Sequence, residues 1–201
     1  MATLSTTTKL EAINAMLAAI GQAPVNTLTG GGSLDTSVAV QTLDRVNREV
    51  QSRGYHWNTD KAYTLIPDSG TGKITATSIM LQVDTVGKSI NTDIIKRGDY
   101  FWDRVNHTFV IPEAVTANIV WLLDFEDIPE VARVYIYTRA GRLFADGRVG
   151  SQIIDGFTRA DEAVAKAMLK KAEGKTMKGN VLTGNYSTNR VISRKSRGDV
   201  L

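Results

Sequence analysis

The chain has 201 residues, no cysteine, two histidines (His56 and His107) and a formal net charge of +3 at neutral pH. This length allows one domain or two closely packed subdomains without a stabilising metal, and the lack of cysteine excludes a disulfide framework, a thiolate zinc site and a cysteine nucleophile. Because the sequence has neither a membrane-length apolar run nor a signal-peptide pattern, it predicts a protein that neither spans a membrane nor is exported by a signal peptide.

The first predicted helix begins at Thr8, where the Thr8 hydroxyl and the Glu11 carboxylate match the capping-box pattern. Gly21 and Pro24 predict where this helix ends. Apolar residues recur between these limits at helical spacing and predict one buried face: Leu10, Ile13, Leu17 and Ile20.

A second helix is predicted after the glycine-rich stretch 29–33, with Asp35 as its N-cap and Gly54 at its end. The stretch 29–33 is predicted to be a flexible connection, because a phosphate-binding loop needs a preceding strand and a Gly-Lys-Ser/Thr ending. The buried stripe of this helix is predicted to be Ala39, Leu43, Val46 and Val50.

Residues 55–126 differ in composition, since short runs rich in Val, Ile, Thr and aromatic residues alternate there with Gly, Asp and Asn. The runs are AYTLIP, KITATS, IMLQVD, SINTDIIKR, DYFWDR, TFVIP and ANIVWLL. Such runs, separated by turn residues, predict an antiparallel sheet folded into a barrel or sandwich.

The helical period returns at 127–130, where Pro129 and the acidic residues around it suit the first turn of a helix. The inward residues of this third helix are predicted to be Val131, Tyr135, Thr138 and Leu143. A fourth helix is predicted over 151–173, with an apolar face formed by Ile153, Phe157, Ala160, Val164 and Met168.

This element order indicates an α+β fold with segregated parts. We expect the helices from both ends of the chain, 8–54 and 127–173, to pack into one four-helix bundle. Residues 55–126 would then form an inserted antiparallel β lobe, and 174–201 an extended basic C-terminal arm.

Three carboxylates lie together where the β region meets the third helix, with Glu130 close by. They are Asp124, Glu126 and Asp127, which we call the acidic corner. Two carboxyl groups about 5–9.5 Å apart can hydrolyse a glycosidic bond, so a virion-associated polysaccharide hydrolase using residues 124–130 is the alternative function. Negative charge is also stabilising at a helix start without any substrate, and we favour helix-start electrostatics or a subunit contact.

Two aromatic triplets, 55–57 and 100–102, could stack on sugars or bases. Aromatic side chains at a helix-to-strand junction or inside a strand more often belong to the core, which is the interpretation we favour. His107 lies in a predicted hairpin turn and has no partner nearby in sequence, so we do not expect it to act as a general base.

Charge is concentrated at the C-terminal end of the chain. From Lys166 onward there are nine basic and two acidic residues, so this part carries +7 and the preceding residues carry −4. The arm fits a nucleic-acid clamp, a solvated end or a segment that lies on a neighbouring subunit. We favour the last, because small polar residues alternate with aliphatic ones. The candidate contact residues of the arm are Arg190, Arg194, Lys195 and Arg197.

Three blocks in register resemble the tail tubular protein A family of autographivirus-like podoviruses. The blocks are EAINAMLAAIGQAPVNTL at 11–28, RVNREVQSRGYHWN at 45–58 and LLDFEDIPEVAR at 122–133. They are similar to the family's opening helix with its IGxxPVxTL turn, its helix ending in QSRGW, and its acidic step into a helix at a proline. The resemblance spans most of 8–173, and 174–201 does not match.

The resemblance implies a structural protein of the virion tail, assembled in the host cytoplasm, and not an enzyme. It implies a dodecameric adaptor or gatekeeper ring that binds the portal protein above and the nozzle protein, tail tubular protein B, below. DNA would leave through the ring's channel without sequence-specific binding. No catalytic residue, cofactor, metal or membrane contact is expected.

Overall fold

The computed structural model describes residues 6–28, 33–148 and 152–176, without the side chains of 148 and 152–158. Within these residues the helices are α1 (Lys9–Ala19), α2 (Leu34–Gln51), α3 (Glu130–Arg148) and α4 (Gln152–Thr176). The strands are β1 (Thr59–Leu65), β2 (Met80–Thr85), β3 (Ile94–Arg97), β4 (Tyr100–Asp103) and β5 (Val115–Trp121). The predicted α+β class is confirmed.

Helix α1 begins with the predicted capping box. The Glu11 amide donates to the Thr8 hydroxyl over 3.2 Å, and the Thr8 amide donates to the Glu11 carboxylate over 2.8 Å. These two bonds satisfy amides that have no partner inside the helix. Ile13 and Leu17 of the predicted face are fully buried.

Helix α2 has the predicted buried stripe but a different cap. Its N-cap is Ser33, whose hydroxyl accepts from the Thr36 amide over 3.3 Å, whereas Asp35 lies inside the first turn. The prediction of Asp35 as N-cap was wrong, because the helix already begins at Leu34, several residues before the first residue of its apolar stripe. All four stripe residues have no exposed surface: Ala39, Leu43, Val46 and Val50.

Helix α3 packs against α1, α2 and α4. Its buried apolar residues are Ala132, Tyr135, Ile136, Ala140, Phe144 and Ala145. Of the predicted inward residues only Tyr135 is among them, and Val131, Thr138 and Leu143 are half-buried. A helix that packs against several neighbours buries a surface broader than one stripe. A prediction of inward residues from one helical period therefore places some of them incorrectly.

The predicted apolar face of α4 is wrong where its side chains are described, because three of its residues are exposed: Ala160, Val164 and Met168. Ala165 and Leu169 pack into the core instead. Glu162, on this inward side, forms ion pairs with α3 and so favours the rotation of α4 that is observed. Two further residues of the predicted face lie outside the described side chains: Ile153 and Phe157.

The strands form two antiparallel sheets, one in the order β1-β5-β2 and one made of β3 and β4. The described strands do not close into a barrel, so that part of the prediction was wrong. Bulges interrupt the pairing of β1 and β2 with β5, and Ala62 in the first bulge has a φ of 54°. Bulges bend a strand and end its regular pairing. The runs KITATS and TFVIP contribute isolated bridges rather than strands.

Most of the buried apolar residues that the structure describes form two clusters. The helical core combines residues of all four helices with Phe125 and Ile128. The β core consists of Leu65, Ile74, Ala76, Met80, Ile94, Phe101, Ile111, Val115, Ala117 and Ile119. The division of the chain into subdomains at 55 and 126 stays a prediction.

Buried amide side chains connect the end of α2 to the chain leaving β5. Gln51 donates to the Leu123 carbonyl and accepts from the Leu123 amide, both over 2.8 Å. Asn58 donates to the Trp121 carbonyl over 2.8 Å and to the Gln51 carbonyl over 3.0 Å. Because both side chains are almost fully buried, their bonds fix where the residues after β5 lie.

Candidate interaction surfaces

The acidic corner lies on a short 3-10 turn, Phe125–Asp127, between β5 and α3. Phe125 and Ile128 are buried in the helical core, and they anchor the turn from both ends. Asp124, Glu126 and Asp127 are exposed. The sequence alternation of apolar and acidic residues therefore places the carboxylates outside and their neighbours inside.

One glutamate of this turn and the first residue of α3 bind the start of α1. Glu126 accepts a hydrogen bond from the Lys9 amide over 3.0 Å, and Glu130 accepts one from the Thr7 amide over 2.9 Å. Carboxylates are stabilising near these exposed amides, where the helix dipole is positive. These carboxylates therefore stabilise the start of α1, where Lys9 lies 117 residues from Glu126 in sequence. Sequence reasoning did not find this long-range contact.

A buried arginine completes this junction. Arg133 is 6% exposed, and it donates to the carbonyls of Ile128 (2.8 Å), Thr7 (2.9 Å) and Glu126. A buried guanidinium needs such acceptors to offset its desolvation. The junction thus uses Glu126, Glu130 and Arg133 to hold the chain together, which favours the structural interpretation of the acidic corner over a catalytic carboxylate pair.

The two aromatic triplets have different surroundings. Tyr55 and Trp57 stack on each other with ring centroids 5.4 Å apart and pack against the helical core, as expected. In the second triplet only Phe101 belongs to the core, whereas Tyr100 is 40% exposed and Trp102 is half-buried. The core prediction was therefore wrong for the outer two residues, because side chains alternate between the two faces of a strand.

The β3–β4 hairpin presents these aromatic rings together with cations. The cross-strand pairs Ile95–Trp102 and Arg97–Tyr100 lie on its outer face. The Arg97 guanidinium lies 4.7 Å from the Trp102 ring centroid, and the Lys73 ammonium lies 5.1 Å from that of Tyr100. We call this surface, with Phe109 against the edge of Trp102, the cationic hairpin.

The turn that follows β4 is built on a buried carboxylate. Asp103 accepts from the amides of Val105 (2.8 Å) and Asn106 (3.0 Å). Burial tends to raise the pKa of Asp103, but the hydrogen bonds from Asn106 and Val105 hold it below its ordinary value. His107 lies in this turn with a φ of 53° and is exposed. The turn is a structural feature that orders the end of the hairpin.

Ion pairs connect α2, α3 and α4. Arg139 binds Glu49 and Glu162, and Arg142 binds Glu162, each over 2.7 Å. Burial tends to raise the pKa of Glu162, but hydrogen bonds from Arg142 and Arg139 outweigh it and lower the pKa. These four residues form an ion-pair network that fixes the rotation of α4.

The C-terminal end of α4 is attached to the residues after α2. Glu173 accepts from the His56 amide over 2.6 Å and lies 2.8 Å from His56 Nδ1. This contact fixes the position from which the chain continues past Thr176. The predicted contact residues of the arm lie outside the described residues: Arg190, Arg194, Lys195 and Arg197.

The described part of the chain has neither a cluster of metal-ligand side chains nor a membrane-length apolar helix. No group of three or more His, Cys, Asp or Glu side chains there is placed to hold a metal ion. No helix among the same residues is long and apolar enough to cross a membrane.

Comparison with known proteins identifies the family. No curated protein matches the chain. A family model described as tail tubular protein matches residues 10–178, which include both the helical core and the β core. The chain therefore belongs to the tail tubular protein family and is a structural component of a phage tail.

Proposed function

We propose that this protein is the subunit of an adaptor ring that connects the portal to the nozzle of a short-tailed phage. The observation that carries this proposal is the family match over residues 10–178. The three sequence blocks that resemble the adaptor family add the position between portal and nozzle. In this role the subunits surround the channel through which DNA leaves the capsid.

The contacts at the family-like blocks support a protein built for assembly. Gln51 and Asn58 belong to the second block, and both bind backbone groups between the two cores. Arg133 ends the third block and binds three carbonyls at the junction of α1 and α3. These polar residues hold the relative position of the chain segments around the acidic corner, as an adaptor with fixed docking surfaces requires.

Charge supports the same role. The residues before Lys166 carry −4, so most of the chain repels phosphates instead of binding them. A channel that bound DNA tightly would slow its passage. We assign subunit or tail-protein contacts to Asp124, Asp127 and the basic arm, whose candidate residues are Arg190, Arg194, Lys195 and Arg197.

Reconstitution tests the proposal. Purified protein is mixed with portal rings, and the products are imaged by electron microscopy, with nozzle protein added in a second step. We expect a ring of this protein stacked on the portal, which then recruits the nozzle. Absence of any joint complex at micromolar concentrations of both proteins would contradict the adaptor role.

A matched pair of variants locates the docking surface. Asp124→Asn/Asp127→Asn removes two exposed charges at the acidic corner, and Asp84→Asn/Glu113→Asn removes two exposed charges in the β region. We expect weaker assembly for the first variant only. Equal loss in both variants would mean that overall charge, and not the acidic corner, controls assembly.

A further inference from the structure

The outer face of the cationic hairpin has the composition of a protein interface. Tyr100 is 40% exposed and Ile95 is 46% exposed, and they flank Arg97 and the half-buried Trp102. Aromatic residues and arginine are enriched where proteins bind each other. On the opposite face of the same strands, Phe101 and Ile94 are buried in the β core, so the outer face is held on a packed support.

The cations of this face have no acidic partner among the residues that the structure describes. Neither Lys73 nor Arg97 makes a salt bridge with a described residue, although Asp99 lies in the hairpin turn between β3 and β4. Both are instead placed over aromatic rings. Such contacts restrict long side chains before binding and so lower the entropy that binding would cost. The hairpin therefore presents two ordered positive charges that are available to carboxylates.

The same geometry leaves little ring surface on which a base or a sugar could stack. Single-stranded nucleic acids bind by stacking their bases on exposed aromatic faces. Here the Arg97 guanidinium covers one face of Trp102, and the Lys73 ammonium covers one face of Tyr100. A ligand would therefore be bound through the cations, which attract phosphates and carboxylates alike. Because the residues before Lys166 carry −4, the chain as a whole repels a nucleic acid there, and an acidic protein surface is the partner that we assign to this face.

The chain itself has such a surface in the acidic corner. Asp124 and Asp127 are exposed and form no side-chain salt bridge with a described residue, while Glu126 uses one oxygen for Lys9. Three carboxylates within four residues give this turn a local negative surplus. Its buried neighbours, Phe125 and Ile128, belong to the helical core, whereas those of the hairpin belong to the β core.

We propose that the cationic hairpin of one subunit binds the acidic corner of a second copy of this chain. This inference rests on the proposed ring function, because it assigns the contact between neighbouring subunits. The two surfaces are unlike, so the contact is head-to-tail and repeats around a ring. Lys73 and Arg97 face Asp124 and Asp127 of the next copy, with Tyr100 and Trp102 at the centre of the contact.

Charge reversal on each side provides a specific test. The hairpin variant is Lys73→Glu/Arg97→Glu, and the corner variant is Asp124→Lys/Asp127→Lys. Each variant alone brings like charges together at every contact, whereas an equimolar mixture can alternate and restore opposite charges. Self-association is measured by light scattering and sedimentation velocity at low salt, for the free protein and on portal rings.

We expect each variant alone to associate at least about tenfold more weakly than wild type, and the mixture to recover most of the loss. The control Lys61→Glu/Lys88→Glu reverses two exposed charges elsewhere in the β region and should associate like wild type. Thermal unfolding of each variant checks that the fold is kept. If reversal at the hairpin unfolds the chain, Lys73→Gln/Arg97→Gln replaces it.

Cysteine pairing gives a second measurement, because the chain has no cysteine of its own. Arg97→Cys and Asp127→Cys are made in separate chains, mixed and oxidised. A disulfide-linked dimer should form between the two variants, and not between Lys61→Cys and Asp127→Cys.

The outcomes separate this inference from the proposed function. If wild type associates but the mixture recovers nothing and no Arg97–Asp127 disulfide forms, the hairpin contact is wrong while the ring can stand. If the hairpin variant loses portal binding but keeps self-association, the surface serves the portal and the second-copy contact is overturned. If wild type stays monomeric both free and with portal, the ring and this contact fail together.

Discussion

The helical core and the β region bury their apolar residues to different extents. The helices enclose a continuous core in which the stripe of α2 has no exposed surface. Among the side chains that the structure describes, eleven large apolar ones are exposed, and eight of these lie in the region from β1 to β5: Tyr63, Ile66, Ile79, Ile90, Ile95, Tyr100, Val105 and Val110. The β region therefore offers more surface for partners, and the helices provide more of the stability.

The two regions also use charge differently. In the helices, Arg139 and Arg142 are paired with carboxylates of other helices. In the β region, Lys73 and Arg97 lie over aromatic rings without an acidic partner among the described residues. Paired charges hold the fold together, and unpaired charges on a rigid support suit binding. This difference makes the hairpin the surface of the β region that is best suited to binding a partner.

The largest expected effect comes from opening a cavity in the helical core. Leu43 is fully buried on α2, so Leu43→Ala should lower the free energy of unfolding by about 2–5 kcal/mol. Leu34, on the same helix, is 73% exposed, and Leu34→Ala should change it by less than about 0.5 kcal/mol. Urea unfolding followed by circular dichroism measures both. Similar losses for the two variants would contradict the assignment of the core to this stripe.

The next effect concerns the connection between the two regions. Gln51→Leu keeps the side-chain volume but removes the hydrogen bonds to both backbone groups of Leu123. Because buried polar groups are left unsatisfied, we expect a loss of about 2–4 kcal/mol. The unfolding of the helices and of the β region should also separate.

Two probes detect that separation. Tryptophan fluorescence reports on Trp102 and Trp121 of the β region, with Trp57 beside the helical core, and far-ultraviolet circular dichroism reports mainly on the helices. The two transitions should coincide in wild type and differ in the variant. The control Gln41→Leu replaces an exposed glutamine of α2 and should keep them coincident.

The ion-pair network should make stability depend on pH. The folded pKa of Glu162 lies below its unfolded value of about 4.3, so its contribution is fully present above that value and is lost as pH falls through the folded pKa. At pH 7, Glu162→Gln should cost about 1–2 kcal/mol. Between pH 5 and 3, the variant should lose less stability than wild type. If the free energy of unfolding of both proteins depends on pH in the same way, Glu162 is not the titrating group. Glu113→Gln, at an exposed glutamate, serves as the control.

Periodicity predicted the elements that depend on local sequence. The capping box at Thr8, the stripe of α2 and the sequence runs of β1 and β5 are all present. Each of these depends on neighbouring residues within one or two turns or on alternation along one strand. Local pattern was therefore sufficient for the order of the described helices and strands, although it also predicted strands in KITATS and TFVIP, which form isolated bridges.

Features that depend on distant residues were not predictable in this way. The predicted buried face of α4 was wrong, because Val164 and Met168 have the same helical spacing as Ala165 and Leu169, which are the buried pair. The ion pair of Glu162 with Arg139 of α3 accompanies burial of Ala165 and Leu169. The roles of Gln51 and Arg133 depend on backbone groups that become adjacent only after folding. The outward direction of Trp102 could have been found by applying strand alternation to Tyr100–Asp103.

The smallest expected effect distinguishes the two kinds of carboxylate near the acidic corner. Asp124→Asn/Asp127→Asn should change the free energy of unfolding by less than about 0.5 kcal/mol, because both side chains are exposed. Glu126→Ala/Glu130→Ala should cost about 1 kcal/mol, since the amides of Lys9 and Thr7 lose their acceptors. Thermal unfolding of the four single variants and the two double variants measures the difference.

The same aspartate variant tests the alternative hydrolase at this corner. If Asp124 and Asp127 act only as exposed contact residues, their amides leave any release of reducing sugar from capsular polysaccharide unchanged while weakening assembly. The glutamate variant, which loosens the junction of α1 and α3, serves as the comparison for an indirect effect of stability. If wild type releases reducing sugar and the folded aspartate variant does not, the acidic corner is a catalytic site. Glycoside hydrolysis fails when one of its two carboxylates is lost.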